Sequence, residues 1–408
     1  MRSRIFGNRR KNHRMEPIKS KRITSIDLLR GFIMIIMALD HVRDYFHADA
    51  FLYDPLDLNK TSVVLFFTRW ITHFCAPIFV LLAGTSAFLS GQRKTKKELA
   101  SFLVKRGIWL IILEETAINF SWFFNPHFNF FIFGVIWVLG LSMICLAALI
   151  FLPWKWILGI GLLMVFGHNL LDGVHFNTND FSGFLWGAIH ERKVFALGGA
   201  HIGEGYQLIP WAGVMAIGYC LGSIFANGFD VVRRRKILLQ LGIGSWVLFI
   251  IIRSINVYGN LYPWTTQASA VRSFLSFISI TKYPPSLDYL LITEGFAFIF
   301  MALTENISNR LSKIISVYGR VPMFYYIIHI WLIHLFALLV VVLQNHPWTD
   351  MTSFTSWVDG MPNLKGYGLP LGAVYVVWLT LVVLLYPLCK RYDRYKSSHR
   401  DIWWLSYL

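Results

Sequence analysis

Long apolar stretches separated by short polar segments run along most of the chain. A helix that spans a bilayer needs roughly 20 consecutive, mostly apolar residues, and ten stretches approach this length. They lie at 26–46, 63–90, 102–122, 129–151, 154–171, 207–226, 236–257, 286–304, 318–343 and 369–390. The pattern predicts an all-α, polytopic membrane protein with about ten transmembrane helices in a single domain.

The composition also indicates a membrane protein. Of the 408 residues, 56% are hydrophobic and only 15% are charged, which is too few for the surface of a soluble protein of this size. Lysine and arginine outnumber aspartate and glutamate by 38 to 22. Most of this excess lies between the apolar stretches, so it indicates a lipid bilayer as partner and not a nucleic acid.

The basic segments alternate with the stretches in such a way that all of them fall on one side of the membrane. They are the leader 1–22, 91–107, Lys155, 233–236, 310–320 and 390–396. The positive-inside rule makes that side cytoplasmic. We therefore expect a basic cytoplasmic leader at 1–22, a transmembrane domain at 23–392 and a cytoplasmic tail at 393–408, with both termini in the cytoplasm.

The loops on the other side, at 172–206, 258–285 and 344–368, are long and polar. Loops of this length often carry function, so we expect the functional face there. Within the first of them, the glycine-rich GGAHIGEG at 198–205 is expected to form a flexible loop and not a phosphate cradle.

The cysteines do not indicate a metal or a disulfide framework. No CxxC spacing occurs, and all four residues lie within or at the end of apolar stretches. They are Cys75, Cys145, Cys220 and Cys389. We expect packing roles for them and no metal.

The first apolar stretch ends in the ionisable residues Asp40, His41, Arg43, Asp44 and His47. On a helix, Asp40, Asp44 and His47 are spaced four and three apart and share a face, whereas His41 points to another neighbour. A charge at the bilayer centre costs about 2.5–3.5 kcal/mol, so the cluster should face protein or water. Either Arg43 neutralises a carboxylate in a structural ion pair, or the cluster lines a functional site.

Other stretches bring polar groups to a similar depth. They are His73, Asn119, Glu294, Tyr325 and His329. A lone intramembrane histidine can simply bond a backbone carbonyl, but the coincidence of so many favours a polar cavity that opens away from the basic loops. Histidine near a carboxylate suits proton transfer around neutral pH.

Several segments form a recognisable set. They are RITSIDLLRGFIMIIMALDH at 22–41, HA at 47–48, THFCAPIFVLLAGTSAFLS at 72–90, LIPWAGVMAIGYCLG at 208–222, TKYPPSLDYLLITEG at 281–295 and GRVPMFYYIIHIWLIH at 319–334. Together they resemble the heparan-alpha-glucosaminide N-acetyltransferase family, within the wider group of transmembrane acyltransferases, and its bacterial members in particular. The likeness extends from Arg22 to about Tyr392.

The resemblance implies that an acetyl or longer acyl group moves from cytoplasmic acetyl-CoA to an amino or hydroxyl group of an extracytoplasmic sugar or glycan. It also implies a location in a bacterial inner membrane. Asp40 stands where the family has an asparagine, and His47, followed by Ala48, matches its essential histidine. Because the interval between the two is shorter here than in the lysosomal enzyme, His41 remains a rival for that role.

These roles follow from the resemblance together with the chemistry of acyl transfer. His47, or else His41, acts as general base, and Asp40 or Asp44 orients it or stabilises its charge. An acyl-histidine intermediate is the alternative to direct transfer. Candidate substrate-binding residues, some of them donors to the oxyanion, are Arg43, His73, Asn119, Glu294, Tyr325 and His329.

Two other functions are compatible with the sequence. Intramembrane carboxylates and histidines also build proton relays, so a proton-coupled transporter or flippase is the main alternative, although no repeated halves support it. A scaffold in which the ionisable groups are structural is the third. The acceptor, the acyl length and the oligomeric state, including a homodimer, stay open.

Overall fold

The computed structural model describes residues 24–176, 180–352, 361–399, 401–402 and 405. The expected leader at 1–22 and parts of the expected tail lie outside these residues. The described helices are α1 (Thr24–Phe46), α2 (Val63–Trp70), α3 (Cys75–Gly91), α4 (Lys96–Leu113), α5 (Asn119–Phe123), α6 (Val135–Leu149), α7 (Trp154–Gly167), α8 (Phe181–Ile189), α9 (Leu208–Leu221), α10 (Val231–Ile255), α11 (Ala270–Ile278), α12 (Leu287–Thr304), α13 (Arg310–Arg320), α14 (Pro322–Leu343) and α15 (Leu371–Ser398).

Seven helical segments in the described part of the chain are long and apolar enough to cross a membrane. They are Val63–Gly91, Trp154–Leu171, Leu208–Phe225, Val231–Ile255, Leu287–Thr304, Pro322–Leu343 and Leu371–Ser398. Each coincides with a predicted stretch, so the expectation of a mostly helical chain with several membrane-spanning helices agrees with the structure.

The other three predicted stretches correspond to α1, to α4 with α5, and to α6. The first two carry several charged residues, and α6 has only 15 residues. The total of about ten spans and the cytoplasmic placement of both termini therefore stay predictions.

Charged residues are tolerated on α1 because other helices surround it. It contacts α3, α12, α13, α14 and α15, and residues on all of its sides, such as Leu29, Ile33 and Val42, are buried. A charged side chain inside a membrane protein needs partners in the protein interior. The central position of α1 supplies them, and the polar cluster near its end faces protein.

Side-chain caps define where several helices begin. Ser62, Thr95, Asp230 and Ser286 each accept a backbone N–H from the third residue of the helix that follows. These bonds satisfy N–H groups that a helix leaves unpaired at its first turn. The starts of α2, α4, α10 and α12 are thus encoded locally.

The expectation of an all-α chain is wrong in one detail. Three short strands, β1 (Phe130–Phe133), β2 (Val194–Leu197) and β3 (Ala200–Glu204), form a sheet in the order β1-β3-β2. β1 runs parallel to β3, and β2 runs antiparallel to it. The first of these strands begins the stretch predicted as a helix at 129–151, because an apolar run of this kind does not by itself distinguish strand from helix.

The glycine-rich segment 198–205 is therefore ordered secondary structure and not the expected flexible loop. Gly198 and Gly199 have φ angles of +56° and +89°, a backbone conformation that glycine adopts at little cost, and they make the turn between β2 and β3. The remainder of the segment contributes β3.

Close helix packing at the crossing of α3 and α9 depends on glycine. A Cβ atom on Gly84 would lie 2.1 Å from the Met215 carbonyl oxygen, and one on Gly218 would lie 2.2 Å from the Leu81 carbonyl oxygen. Small residues at such crossings let two backbones approach in membrane proteins.

The bundle has two ends of different character. Turns and helix ends rich in lysine and arginine, at 91–97, 233–236 and 310–320, lie at one end, which we call the basic face. The long segments 172–176, 180–207 and 256–286 lie at the other end, which we call the loop face. A cavity opens at each face.

Candidate active site

Asp40 is held by two arginines and a threonine. Its Oδ1 lies 2.7 Å from Nη2 of Arg43, and Nη1 of Arg69 lies 3.3 Å from the same oxygen. The Thr72 hydroxyl donates to this oxygen at 2.8 Å. Arg43 also pairs with Asp44. The charges of both carboxylates are therefore compensated inside the bundle, as buried charges require.

This geometry does not support the expectation that Asp40 or Asp44 orients His47. Within the described residues, neither carboxylate hydrogen-bonds to that histidine, since arginines hold both. Sequence reasoning missed Arg69, which stands alone in an apolar stretch. One signal in the sequence pointed to a further arginine. The end of α1 has two aspartates beside Arg43 alone, so a second cation is needed to compensate their charge.

A cavity of about 700 Å³ opens at the loop face. Of the predicted site residues, Arg43, Asp44, His47 and His73 line it, and Arg69 joins them. Cations, a carboxylate and imidazoles thus face one space at the end predicted to be functional. Such a lining suits a polar ligand that offers both donors and acceptors.

His47 lies just beyond the end of α1. Its Nδ1 accepts the backbone N–H of Asp49 at 3.2 Å, and the next residue, Ala48, donates its N–H to the Leu369 carbonyl. Burial lowers the pKa of His47 below its ordinary value, so its ring is mainly neutral at pH 7. A neutral ring that accepts at Nδ1 carries its proton on Nε2, so His47 presents a donor.

His73 lies in the same cavity wall. Its ring meets Tyr289 edge-on, with centroids 5.4 Å apart, and the Tyr289 hydroxyl donates to the His73 carbonyl at 2.7 Å. Among the described residues, neither ring nitrogen of His73 has a hydrogen-bond partner. Because buried polar atoms are normally paired, this imidazole is available to a ligand in the cavity.

His41 points away from this cluster toward α14, as its helical position predicts. Its Nδ1 lies 2.7 Å from Nε2 of His329, whose Nδ1 faces the Tyr325 carbonyl at 2.9 Å. A carbonyl only accepts, so the neutral His329 ring carries its proton on Nδ1 and accepts at Nε2. His41 therefore donates from Nδ1 and keeps a lone pair on Nε2.

Aromatic side chains surround His41. The ring centroids of Trp122 and Tyr326 lie 4.8 Å and 6.1 Å from that of His41, and both rings are oriented edge-on to it. The Trp122 indole N–H lies 3.4 Å from the Tyr326 hydroxyl. In the part of the chain that the structure describes, Nε2 of His41 makes no hydrogen bond, so its lone pair is available for chemistry.

A second cavity, of about 380 Å³, opens at the basic face. Side chains such as Met34 and Met37 give it a mainly apolar interior. Its cationic residues are Arg30, Arg106, Arg320 and Lys396. Apolar walls with several cations suit a ligand that has an anionic head and an uncharged arm. The sequence did not reveal this cavity, because its wall is assembled from residues far apart in the chain.

The His41–His329 pair lies between the two cavities. Tyr326 forms part of the basic-face cavity, and its ring centroid is 5.6 Å from that of His329. On the other side, Asp40 precedes His41 and binds Arg43, which lines the loop-face cavity. The two histidines thus line neither cavity but lie close to a wall residue of each.

Five predicted residues are buried but line neither cavity in the described part of the structure: His41, Asn119, Glu294, Tyr325 and His329. Tyr325 stacks on the His329 ring with centroids 5.0 Å apart, so it supports the histidine pair. Among the described residues, no hydrogen bond or ion pair connects Asn119 or Glu294 to His41 or His329.

Apolar helices that enclose buried histidines and arginines between two opposed cavities define an integral membrane protein with an internal polar site. The chain matches a family model described as heparan-alpha-glucosaminide N-acetyltransferase, catalytic, over residues 22–263. This match spans more than half of the 408 residues, and the chain belongs to that family. No curated protein matches the chain.

Family membership confirms the resemblance seen in the sequence segments. It assigns the chain to the membrane acyltransferases. The matched region contains Asp40, His41, Arg43, Asp44, His47 and His73. It ends before α14, so His329 and Tyr325 are connected to the site by contacts in the fold.

Proposed function

We propose that this protein moves an acetyl group from acetyl-CoA, bound at the basic face, to an amino or hydroxyl group of a sugar or glycan at the loop face. The observation that carries the proposal is the position of the His41–His329 pair between two cavities that open at opposite faces. Family membership supplies the reaction class.

The basic-face cavity fits the donor. Arg106 and Lys396 lie on its wall and would attract the phosphates of coenzyme A, while the apolar interior accommodates the pantetheine arm. Tyr326 at the wall near the histidine pair directs the thioester toward His41. With the basic face in the cytoplasm, as its charge predicts, the donor comes from the cytoplasmic pool.

His41 is the general base in this proposal. Its Nε2 lone pair takes the proton of the acceptor amine or hydroxyl as that group attacks the thioester carbonyl carbon. The new C–N or C–O bond forms, the C–S bond breaks, and the proton passes from His41 to the departing thiolate. His329 holds His41 in the tautomer that this step needs.

His47, the base favoured by sequence comparison, takes a different part. Its Nδ1 is already engaged by the backbone N–H of Asp49, so the neutral ring offers an N–H donor to the loop-face cavity. We assign it to binding the acceptor or the developing oxyanion, together with Arg43 and Arg69. Asp40 positions the two arginines.

The test is transfer of radiolabel from acetyl-CoA to a panel of amino sugars by purified protein. We expect His41→Ala to lose nearly all turnover and His47→Ala to keep a measurable part, with the exposed His127→Ala as control. A protein that leaves all label on coenzyme A with every acceptor contradicts acyl transfer. If His41→Ala keeps full activity and His47→Ala loses activity, the general base is His47 and not His41.

The same assay separates acyl transfer from transport. Histidines and carboxylates inside a helical bundle also build proton relays, so a proton-coupled transporter or flippase is the second candidate. A covalently acetylated acceptor is formed only by a transferase. Movement of an unmodified substrate across proteoliposomes, without acetyl-CoA consumption, favours the transporter.

Sidedness has its own test. Single cysteines introduced at Arg93, on the basic face, and at His175, on the loop face, both occupy exposed positions. An impermeant thiol reagent applied to intact cells should label position 175 and not position 93. Labelling at position 93 alone would show that the basic face is outside the cell and would contradict a cytoplasmic donor.

A further inference from the structure

A second cluster of imidazoles lies apart from the His41–His329 pair, at the loop face. It comprises His168, at the end of the α7 span, Asp172 four residues later, and His190, which follows α8. Each of the three residues can offer one ligand atom to a metal ion, and these ligand atoms all lie within 4.8 Å of one another. The proposed acyl transfer makes no use of them.

His168 has no partner that explains its burial. Its side chain and that of His190 are each 2% exposed. Neither ring nitrogen of His168 has a hydrogen-bond partner among the described residues, and Nδ1 of His190 is also unpaired. Buried imidazoles normally pair both nitrogens with protein or solvent, so these unpaired nitrogens point to a ligand.

A simple hydrogen bond accounts for only part of the arrangement. Nε2 of His190 lies 3.1 Å from Oδ1 of Asp172, which satisfies those two atoms. It leaves His168 unpaired, although the His168 and His190 ring centroids are 5.7 Å apart. A cation among the three would use one nitrogen from each histidine and one carboxylate oxygen.

We propose that His168, Asp172 and His190 bind a divalent transition-metal ion of the zinc type. Two imidazole nitrogens and one carboxylate oxygen are a ligand set that suits Zn²⁺. In a tetrahedral site with Zn–N bonds of about 2.0–2.1 Å, the donor atoms lie roughly 3.3 Å apart. A small contraction of the cluster would therefore bring its three ligand atoms to three corners of such a tetrahedron.

Asn169 supplies the outer support that metal ligands usually have. Its amide N–H donates to Oδ2 of Asp172 at 2.8 Å, which leaves Oδ1 for the metal. Its amide oxygen accepts the backbone N–H of Leu287 at 2.9 Å. The carboxylate is thereby fixed to the start of α12, and the site stands on helix ends and not on a free loop.

The ion would shape the loop-face cavity. Asp172 and His190 belong to its wall, so the fourth position of a tetrahedral ion is within reach of that cavity. The bound ion ties the end of the α7 span to the end of α8. The proposed metal site goes beyond the proposed acyl transfer and does not depend on it. It replaces the expectation of no metal, which rested on the cysteines alone.

The test is metal content. The full-length protein in detergent is stripped with EDTA, dialysed against Zn²⁺ and then metal-free buffer, and analysed by inductively coupled plasma mass spectrometry. We expect one zinc per chain in the wild type and at least a tenfold loss in His168→Ala and His190→Ala. His175→Ala is the matched control, because it removes an exposed histidine of the same loop and should keep the zinc.

A second measurement needs no variant. Co²⁺ bound by wild-type protein should give the intense visible absorption of a tetrahedral site, and Zn²⁺ should displace it and raise the melting temperature. Wild-type protein without zinc and without the cobalt spectrum overturns the proposal. So does zinc content in folded His168→Ala and His190→Ala equal to wild type, which indicates adventitious binding.

Discussion

Nδ1 of His41 lies 2.7 Å from Nε2 of His329 and thus connects α1 to α14 across the interior of the bundle. The two residues are 288 positions apart in the sequence. His329 is anchored in turn on the Tyr325 carbonyl. A second histidine, and not a carboxylate, therefore determines which nitrogen of His41 carries the proton.

The first prediction concerns this positioning role. His329→Phe keeps an aromatic ring but leaves Nδ1–H of His41 without an acceptor, so kcat should fall by about 10²-fold, the lower end of a general-base contribution, with little change in KM. His329→Gln keeps an acceptor and should retain more activity. Steady-state kinetics with both variants checks this. Equal losses in the two variants would mean that His329 acts only by filling space.

The second prediction concerns the donor side. Arg106→Gln removes a cation from the wall of the basic-face cavity, so KM for acetyl-CoA should rise about tenfold, which is about 1.4 kcal/mol of binding, while kcat is kept. Arg93→Gln makes the same charge change at an exposed position of the same face and should leave KM unchanged. Identical effects of the two variants would point to the overall charge of that face.

The third prediction concerns the buried ion pairs. Asp40→Asn leaves Arg43 and Arg69 without their shared counter-charge, and breaking a buried pair in this way destabilises by about 3–5 kcal/mol. Asp57→Asn is the control, because Asp57 pairs loosely with exposed Lys60 at 3.9 Å, a type of pair worth about 0–1 kcal/mol. Melting in detergent compares the two. A similar small loss in both would show that the Asp40 network adds no stability.

The fourth prediction concerns pH. Burial raises the pKa of Glu204 on β3 from 4.5 to about 8, and among the described residues neither of its carboxylate oxygens has a hydrogen-bond partner. Between these two values the folded chain holds a proton that the unfolded chain has released. Stability from Glu204 is therefore full below about pH 4.5 and is lost as the pH rises through about 8.

Glu204→Gln cannot ionise, so its melting temperature should exceed that of the wild type above pH 8 and approach it near pH 4.5. Glu191→Gln is the control of opposite sign. Despite some burial, Lys193 and His175 hold the pKa of Glu191 below its ordinary value, so that variant should gain nothing at high pH. Parallel melting curves for Glu204→Gln and wild type across this range would contradict the prediction.

The fifth prediction concerns the crossing of α3 and α9. Gly84→Ala places a methyl group 2.1 Å from the Met215 carbonyl oxygen, so the helices must separate, at a cost of about 1–3 kcal/mol. Gly159→Ala on α7 meets nothing within 4 Å and should be neutral or stabilising, because alanine favours a helix. Thermal melting of the two variants provides the comparison. Equal stability of both would show that the crossing tolerates a side chain.

Much of the architecture could be predicted because hydrophobic length and charge are local properties. Seven predicted stretches coincide with apolar helical segments, and the direction of His41 away from the Asp40–Asp44 stripe follows from helical spacing alone. The small sheet could not be predicted, because the Phe130–Phe133 run pairs with Ala200–Glu204, some 70 residues further on, and a short apolar run does not identify its partner.

The sequence by itself determined that this is a helical membrane protein, that its first stretch carries buried charges, and which family it belongs to. Only the tertiary structure decided which groups meet. It pairs Asp40 with Arg69, His41 with His329, and His168 with His190. Periodicity shows which way a side chain leaves its own helix, whereas its partner depends on how distant helices pack, and that is a property of the whole fold.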